Sequence, residues 1–338
     1  MTCMQRGVKV EMKQTQRESG AEWNEFARRC RTLEDNVARV VRGRSEAIRL
    51  AVVCLIAEGH LLIEDNPGVG KTSLARAMAQ SLDAEWNRVQ FTPDLLPSDV
   101  TGYSMYNQRD NDMEFRPGPV FTHILLGDEI NRAPAKTQAA LLQAMEERRV
   151  TNDGVTRDLP EPFMVIATQN AVETDGTYPL PEAELDRFLM KISIGYPPAE
   201  TEAELVRTQL HVTAPNVDPV LSLRDLAAMT RAAKAIELHP DLAKYIVDLA
   251  TATRNWTQQI EVGVSPRGSL ALARSARARA LVSGRSFVNV EDIQSLAPFV
   301  FAHRLVRTAE AELHDVSAAD VMDGILRAVE VPAVGRAA

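Results

Sequence analysis

A short apolar run, His60-Leu-Leu-Ile-Glu64, breaks into a turn over Asp65–Gly70. Lys71-Thr72 follows at once, with a helical repeat that puts Leu74, Ala75, Met78 and Leu82 on one side. Strand, glycine-bearing loop, Lys-Thr and helix in that order leave few folds open. Glycines at 68 and 70 let backbone amides curl around an anion with no Cβ in the way. The start of the helix adds partial positive charge, and the Lys71 ammonium adds a full one. Asn66, Pro67, Gly68, Val69, Gly70, Lys71, Thr72 and Ser73 are therefore predicted to cradle the phosphates of a nucleotide. The Thr72 hydroxyl is placed to ligate Mg2+. The usual glycine at the loop entry is replaced by Asp65, so the entry must tolerate a side chain, and Asp can visit left-handed backbone at modest cost.

Four more apolar runs follow, at Trp86–Phe91, Thr122–Asp128, Phe163–Thr168 and Phe188–Ile194, separated by helix-like stretches. Continuously apolar strands alternating with helices predict an α/β fold, a mainly parallel sheet covered on both faces. The run Ile124-Leu-Leu-Gly-Asp128-Glu129 delivers two carboxylates to one sheet edge. Asp128 falls where Mg2+ would be held, through water, and Glu129 where a water would be polarised for attack on the γ-phosphate. Asn170 ends the next strand and is a candidate to hold that water. Arg187 is a candidate to reach a phosphate bound by a neighbouring subunit; the competing reading is a surface ion pair with Glu182 or Glu184. Arg267 opens a later helix and is a candidate to read the γ-phosphate; the alternative is one more arginine on a basic helix.

After Pro197-Pro198 the strand signals stop. Leu223–Glu237, Asp241–Thr253, Gly268–Val282, Val290–Val306 and Ala318–Val329 read as helices, with Asn289 as an N-cap and Gly284 as a stop. The expected organisation is a tail and leading helix over 1–32, partly disordered, a nucleotide-binding α/β domain over 33–212, and a smaller all-helical domain over 213–338. Thr213–Pro219 is the turn-rich join. Asn152-Asp153-Gly154 between alternating residues predicts a hairpin over Val150–Leu159.

Composition narrows the function. A net charge of −8 over 338 residues disfavours a protein that coats nucleic acid. Cys3, Cys30 and Cys54 are an odd set with no close pair, and six scattered histidines lack metal-ligand spacing. No apolar run is long enough to span a bilayer, and residues 1–19 lack the apolar centre of a secretory signal. A cytoplasmic protein without membrane insertion is the expectation.

Four blocks then align with one known group: 63–82 (IEDNPGVGKTSLARAMAQSL), 115–151 (FRPGPVFTHILLGDEINRAPAKTQAALLQAMEERRVT), 162–192 (PFMVIATQNAVETDGTYPLPEAELDRFLMKI) and 265–293 (SPRGSLALARSARARALVSGRSFVNVEDI). Together they resemble the MoxR family of AAA+ ATPases, over roughly residues 33–330. The resemblance implies an AAA+ core with a helical lid, ATP and Mg2+ as cofactors, and ring assembly, usually hexameric. It makes Lys71 and Thr72 the Walker A pair, Asp128 and Glu129 the Walker B pair, Asn170 sensor 1, Arg187 the arginine finger and Arg267 sensor 2. It puts the family's helix-2 insert in Gly102–Phe121, and Val41 and Gly43 in a segment near adenine, where Arg44 replaces a frequent Gln. It implies a chaperone-like role: remodelling or activating a client protein, often with a von Willebrand factor A domain partner, including metal or cofactor insertion. The sequence leaves open whether Arg267 serves its own subunit or a neighbour. It also leaves open two other classes, a nucleic-acid-dependent ring motor and a slow nucleotide switch acting as a scaffold.

Overall fold

The computed structural model describes residues 22–109, 111–170, 177–208 and 216–333. The expected tail over 1–19, Cys3 and the first part of the join, 213–215, lie outside the described residues.

Eleven strands form in chain order among the described residues: β1 (Leu61–Glu64), β2 (Trp86–Gln90), β3 (Gly102–Asn107), β4 (Asp112–Pro117), β5 (Ile124–Asp128), β6 (Arg149–Asn152), β7 (Val155–Asp158), β8 (Met164–Gln169), β9 (Met190–Ile192), β10 (Ile260–Val262) and β11 (Val306–Arg307). Five of them make the central sheet in the order β2-β5-β8-β1-β9, and every pairing is parallel. The five predicted runs are these five strands. Alternation decides which layer each side chain joins. Leu61, Ile63, Ile124, Leu126, Met164 and Ile166 enter one core with Leu74 and Met78 of the helix Lys71–Ser81. Leu62, Leu125, Val165 and Ala167 enter the other, with Leu141, Leu142 and Met145 of the helix Ala135–Glu147. Burial on both faces is why the strands read as unbroken apolar runs.

Two antiparallel hairpins project from this sheet. One is β3–β4, in the segment assigned to the insert; the other is β6–β7, turning at Asp153 and Gly154 with φ of 52° and 75°. They touch: the Asn152 amide donates to the Gly102 carbonyl (2.9 Å), and the Arg157 guanidinium lies 3.8 Å from the Phe115 ring centre. Tyr103 and Tyr106 are both exposed on β3.

The lid is built from the helices Leu223–Ala235, Pro240–Asn255, Pro266–Val282, Val290–Phe301 and Ala318–Ala328. Asn289 caps its helix by accepting from Asp292 N at 2.9 Å, and Gly284 follows the preceding helix at φ 76°. Two expectations need correction. The helix expected over 290–306 ends at Phe301, continuing as a 3-10 turn, Ala302–Arg304, and then β11. Strands also do not stop at Pro198, because β11 pairs antiparallel with β10. Strands this short carry too few residues to show alternation. A helix over 22–38 buries Cys30, Leu33 and Val37 in the core that the lid helices share. Burial pushes the Cys30 thiol up to about 12, so it is unreactive near neutrality. Among the described residues no helix is long and apolar enough to cross a membrane.

His60, at the foot of β1, is buried. Its Nδ1 accepts from Val165 N at 3.0 Å, and Nε2 donates to the Met145 carbonyl at 3.0 Å. Burial lowers its pKa to about 3; burial also pushes His303 well below its ordinary value. In the unfolded chain each imidazole takes a proton near pH 6.5, whereas in the fold it stays neutral. Stability is therefore complete above pH 6.5 and declines as the pH falls below it, by about 2 kcal/mol for His60 between pH 7 and pH 5. The expected result is a lower thermal midpoint at pH 5 than at pH 7, with a smaller drop in His60→Asn. Equal drops in the two proteins would show that His60 contributes nothing to the acid sensitivity.

Candidate active site

The phosphate loop leaves β1 and enters the helix Lys71–Ser81. Gly68 and Gly70 sit at φ of 84° and 101°, a region other residues enter only with strain. A Cβ built at Gly68 meets nothing within 4 Å, so backbone conformation and not crowding demands glycine there. Lys71 is buried; its Nζ donates to the Asp65 carbonyl at 2.9 Å and to Asn170 Oδ1 at 3.0 Å. Asp65 does not use the left-handed region, since it is not among the residues with positive φ. Its side chain instead accepts from Ser193 Oγ (2.7 Å), Ile194 N and Gly195 N (3.3 Å). The carboxylate thus fastens the loop entry to the chain leaving β9, a role glycine lacks.

The acid pair ends β5, flanked by β2 and β8. Register sets Gln90 opposite Asp128, and Glu64 opposite Gln169. The functional residues therefore gather at the carboxyl ends of adjacent strands, where parallel sheets place their ligands. Asp128 Oδ1 accepts from Thr168 Oγ1 at 2.6 Å, and Oδ2 meets Arg88 Nη2 at 2.8 Å. Glu129 adopts a left-handed backbone (φ 57°), and its N–H donates to Thr168 Oγ1 at 2.9 Å. Strained backbone of this kind persists where its surroundings enforce it. Glu129 Oε1 accepts from Asn170 Nδ2 at 3.1 Å; Oε2 accepts from Gln90 Nε2 at 2.8 Å and lies 3.3 Å from Arg132 Nε. Lys71, Asn170 and Glu129 thus form one connected chain of polar contacts.

A cavity of about 320 Å³ brings together Pro67, Gly68, Gly70, Lys71, Thr72, Ser73, Asp128, Glu129, Asn170 and Arg88. The donor set suits Mg2+: a hydroxyl and a carboxylate are hard oxygen ligands, and the Asp128 carboxylate already carries a cationic partner on one oxygen. A second cavity of about 330 Å³ runs on from the loop and is lined by Val41, Arg44, Val69, Tyr196 and Pro197 among others. Val41 is at its wall. Gly43 is not on the lining; at φ 74°, with Pro198 Cδ 2.8 Å from where a Cβ would be, it lets residues 198–201 pack close behind. Asn66 Nδ2 donates to the Tyr196 hydroxyl at 3.3 Å.

Arg187 and Arg267 line neither cavity. Arg187 Nε and Arg267 Nη1 both donate to Glu146, at 2.9 and 3.0 Å. They share a separate recess of about 130 Å³ with Arg148 and Arg274. The hydrogen bond from Arg187, aided by the charge of Arg267, holds the Glu146 carboxyl below its ordinary pKa. Among the described residues the ion pair of the Arg187 guanidinium is with Glu146 and not with Glu182 or Glu184.

Sequence reasoning passed over Thr168, Arg88, Gln90 and the Asp65 side chain. Thr168 left a signal: it is the one buried polar side chain in the apolar strand β8, and such a group must be hydrogen-bonded. Arg88 and Gln90 left none, because their relevance comes from register with β5.

A five-stranded parallel sheet, a phosphate loop after β1, an acid pair at the end of β5, an asparagine at the end of β8 between them and a helical lid define a P-loop ATPase of the AAA type. A sequence model described as "ATPase family associated with various cellular activities (AAA)" matches residues 60–190, and one described as "AAA lid domain" matches 252–325. The uncharacterized protein YeaC of Bacillus subtilis is 46% identical over 88% of this chain and 93% of its own. Chaperone MoxR1 of Mycobacterium tuberculosis is 40% identical, over 88% of this chain and 81% of its own. A crystal structure of a candidate ATPase from Cytophaga hutchinsonii superposes with a TM-score of 0.86 at 36% identity, covering 96% of this chain and 99% of that one. The chain belongs to the MoxR family of AAA+ ATPases.

Proposed function

We propose that this chain couples Mg2+-dependent hydrolysis of ATP to ADP and phosphate to the remodelling or activation of a client protein. The observation that carries the reading is the polar chain Lys71–Asn170–Glu129 beside the phosphate loop. Lys71 and the loop amides counter the charge of the β- and γ-phosphates. Glu129 accepts the proton of the attacking water, and Asn170 orients that water and the carboxylate together. Thr168 fixes both acids through one hydroxyl. Thr72 and, through water, Asp128 would hold Mg2+, which when bound neutralises charge on the phosphate oxygens.

Arg187 and Arg267 serve the nucleotide of a neighbouring subunit in a ring, a hexamer by family resemblance. What supports this is their shared recess on Glu146, which contains no residue of the phosphate loop. The client role, including metal or cofactor insertion or complex maturation, and a von Willebrand factor A domain partner follow from the family alone.

The test is ATP binding and turnover by the purified chain with and without Mg2+. Lys71→Ala is expected to weaken ATP binding by about 10- to 100-fold, the loss of charge-assisted bonds worth roughly 1.5–3 kcal/mol. Chelation of Mg2+ is expected to stop turnover. Wild-type rates in Lys71→Ala would sink the proposal. Affinity capture with Glu129→Gln in ATP is the route to the client.

A further inference from the structure

Arg304 belongs to the lid, yet most of its donors go to the core. It closes the 3-10 turn Ala302–Arg304, and its side chain is only 3% exposed. Nε donates to Asp186 Oδ1 at 2.6 Å. Nη2 donates to the Asp186 and Phe188 carbonyls at 3.1 and 2.7 Å, and Nη1 to the Leu189 carbonyl at 3.4 Å and to the Val300 carbonyl of its own domain. A guanidinium this buried survives only because nearly every donor finds an acceptor. Three of those acceptors, the carbonyls of Asp186, Phe188 and Leu189, are backbone next to Arg187, and a fourth is the Asp186 carboxylate.

The other Asp186 oxygen faces a second lid element. Ser265 Oγ donates to Oδ2 at 3.3 Å, and Arg267 Nε lies 4.0 Å from it. Ser265 caps the helix Pro266–Val282 that Arg267 opens. One core carboxylate is thus held by two separate pieces of the lid. The circuit closes through Glu146, which joins Arg187 to Arg267. Arg187 is fixed on its backbone side by Arg304 and at its tip by a carboxylate shared with the lid.

We infer that Asp186 and Arg304 are positioning residues that transmit the placement of the lid to Arg187. The inference rests on the reading of Arg187 as a group serving the neighbouring subunit. Two domains that close around a ligand do so by hinge or shear motion. Here a lid that shifts carries Arg304 with it, and the backbone of 186–189 follows or loses its hydrogen bonds. Each subunit's lid then sets how its own Arg187 meets the phosphate next door. A misplacement of about 1 Å at such a group costs about 100-fold in rate.

A pair that only stabilised the fold would also be buried and well bonded, so the test must separate the two roles. Asp186→Asn keeps the size and loses the charge. In rings of wild-type size it is expected to bind ATP within about twofold of wild type and to turn it over about 10- to 100-fold more slowly. Mixing it with Lys71→Ala subunits, which bring an intact Arg187, is expected to restore part of the rate. Arg304→Lys keeps the charge and loses the fork; the same pattern is expected, and it replaces Asp186→Asn if that variant does not fold. Wild-type turnover in the folded variant overturns the inference. So does a deficit that mixing leaves untouched while it relieves Arg187→Ala. If mixing fails to relieve Arg187→Ala itself, the reading of Arg187 falls, and this inference with it.

Discussion

Glu129→Gln is expected to bind ATP within about twofold of the wild type and to hydrolyse it at least about a hundredfold more slowly, within the range of a positioned general base. The substitution is nearly isosteric. The Asn170 amide still has an oxygen to bond at the Oε1 position, so the polar chain to Lys71 is kept. On the other side an NH2 group would face Gln90 Nε2 and Arg132 Nε, both donors, at a cost of about one hydrogen bond. That is too little to expel a nucleotide held mainly by the loop and Lys71. What disappears is a site that accepts a proton. Calorimetric titration with ATP and single-turnover phosphate release measure the two halves independently. Wild-type release rates would remove Glu129 from its assigned role.

Arg187→Ala is expected to leave each subunit's own ATP binding unchanged and to lower ring turnover by about a thousandfold, the lower end for arginines that stabilise phosphoryl-transfer transition states. Direction follows from placement: Arg187 sits in the recess on Glu146 and not at the phosphate loop. A subunit lacking Arg187 has an intact pocket, and a subunit lacking Lys71 has an intact Arg187. Mixed rings should therefore regain activity at sites where the first kind borrows from the second, and the gain should depend on the mixing ratio. Failure to regain any activity, with ring size unchanged by light scattering, would assign Arg187 to its own subunit or to the fold.

The parts of this molecule that were readable from sequence share a physical reason. β1, β5 and β8 are buried on both faces, so they appear as unbroken apolar runs. The turn of β6–β7 needs two left-handed residues, and Asp153-Gly154 announces them. The phosphate loop and the acid pair are each contiguous, so spacing alone exposes them. What was missed is made by pairing. Arg88 and Gln90 reach Asp128 and Glu129 only because β2 lies beside β5 in one register. The β3–β4 hairpin exposes Tyr103 and Met105 toward one side and Tyr106 and Met113 toward the other, so it has no polar face to alternate with an apolar one. Asp65 was read for its backbone when its side chain was the informative part. The bond from Arg304 to Asp186 joins two domains, and no local pattern encodes it.

The two outer hairpins hold each other through Asn152 and through Arg157 over Phe115. Each runs by a short link, 118–123 or 159–163, into β5 or β8, the strands that end at the acids and beside Asn170. Load applied to either tip is thus shared at the root between two neighbouring strands. The protrusion is a single handle on the site, and a tug on it arrives at the Asp128 and Glu129 carboxylates and at Asn170 together.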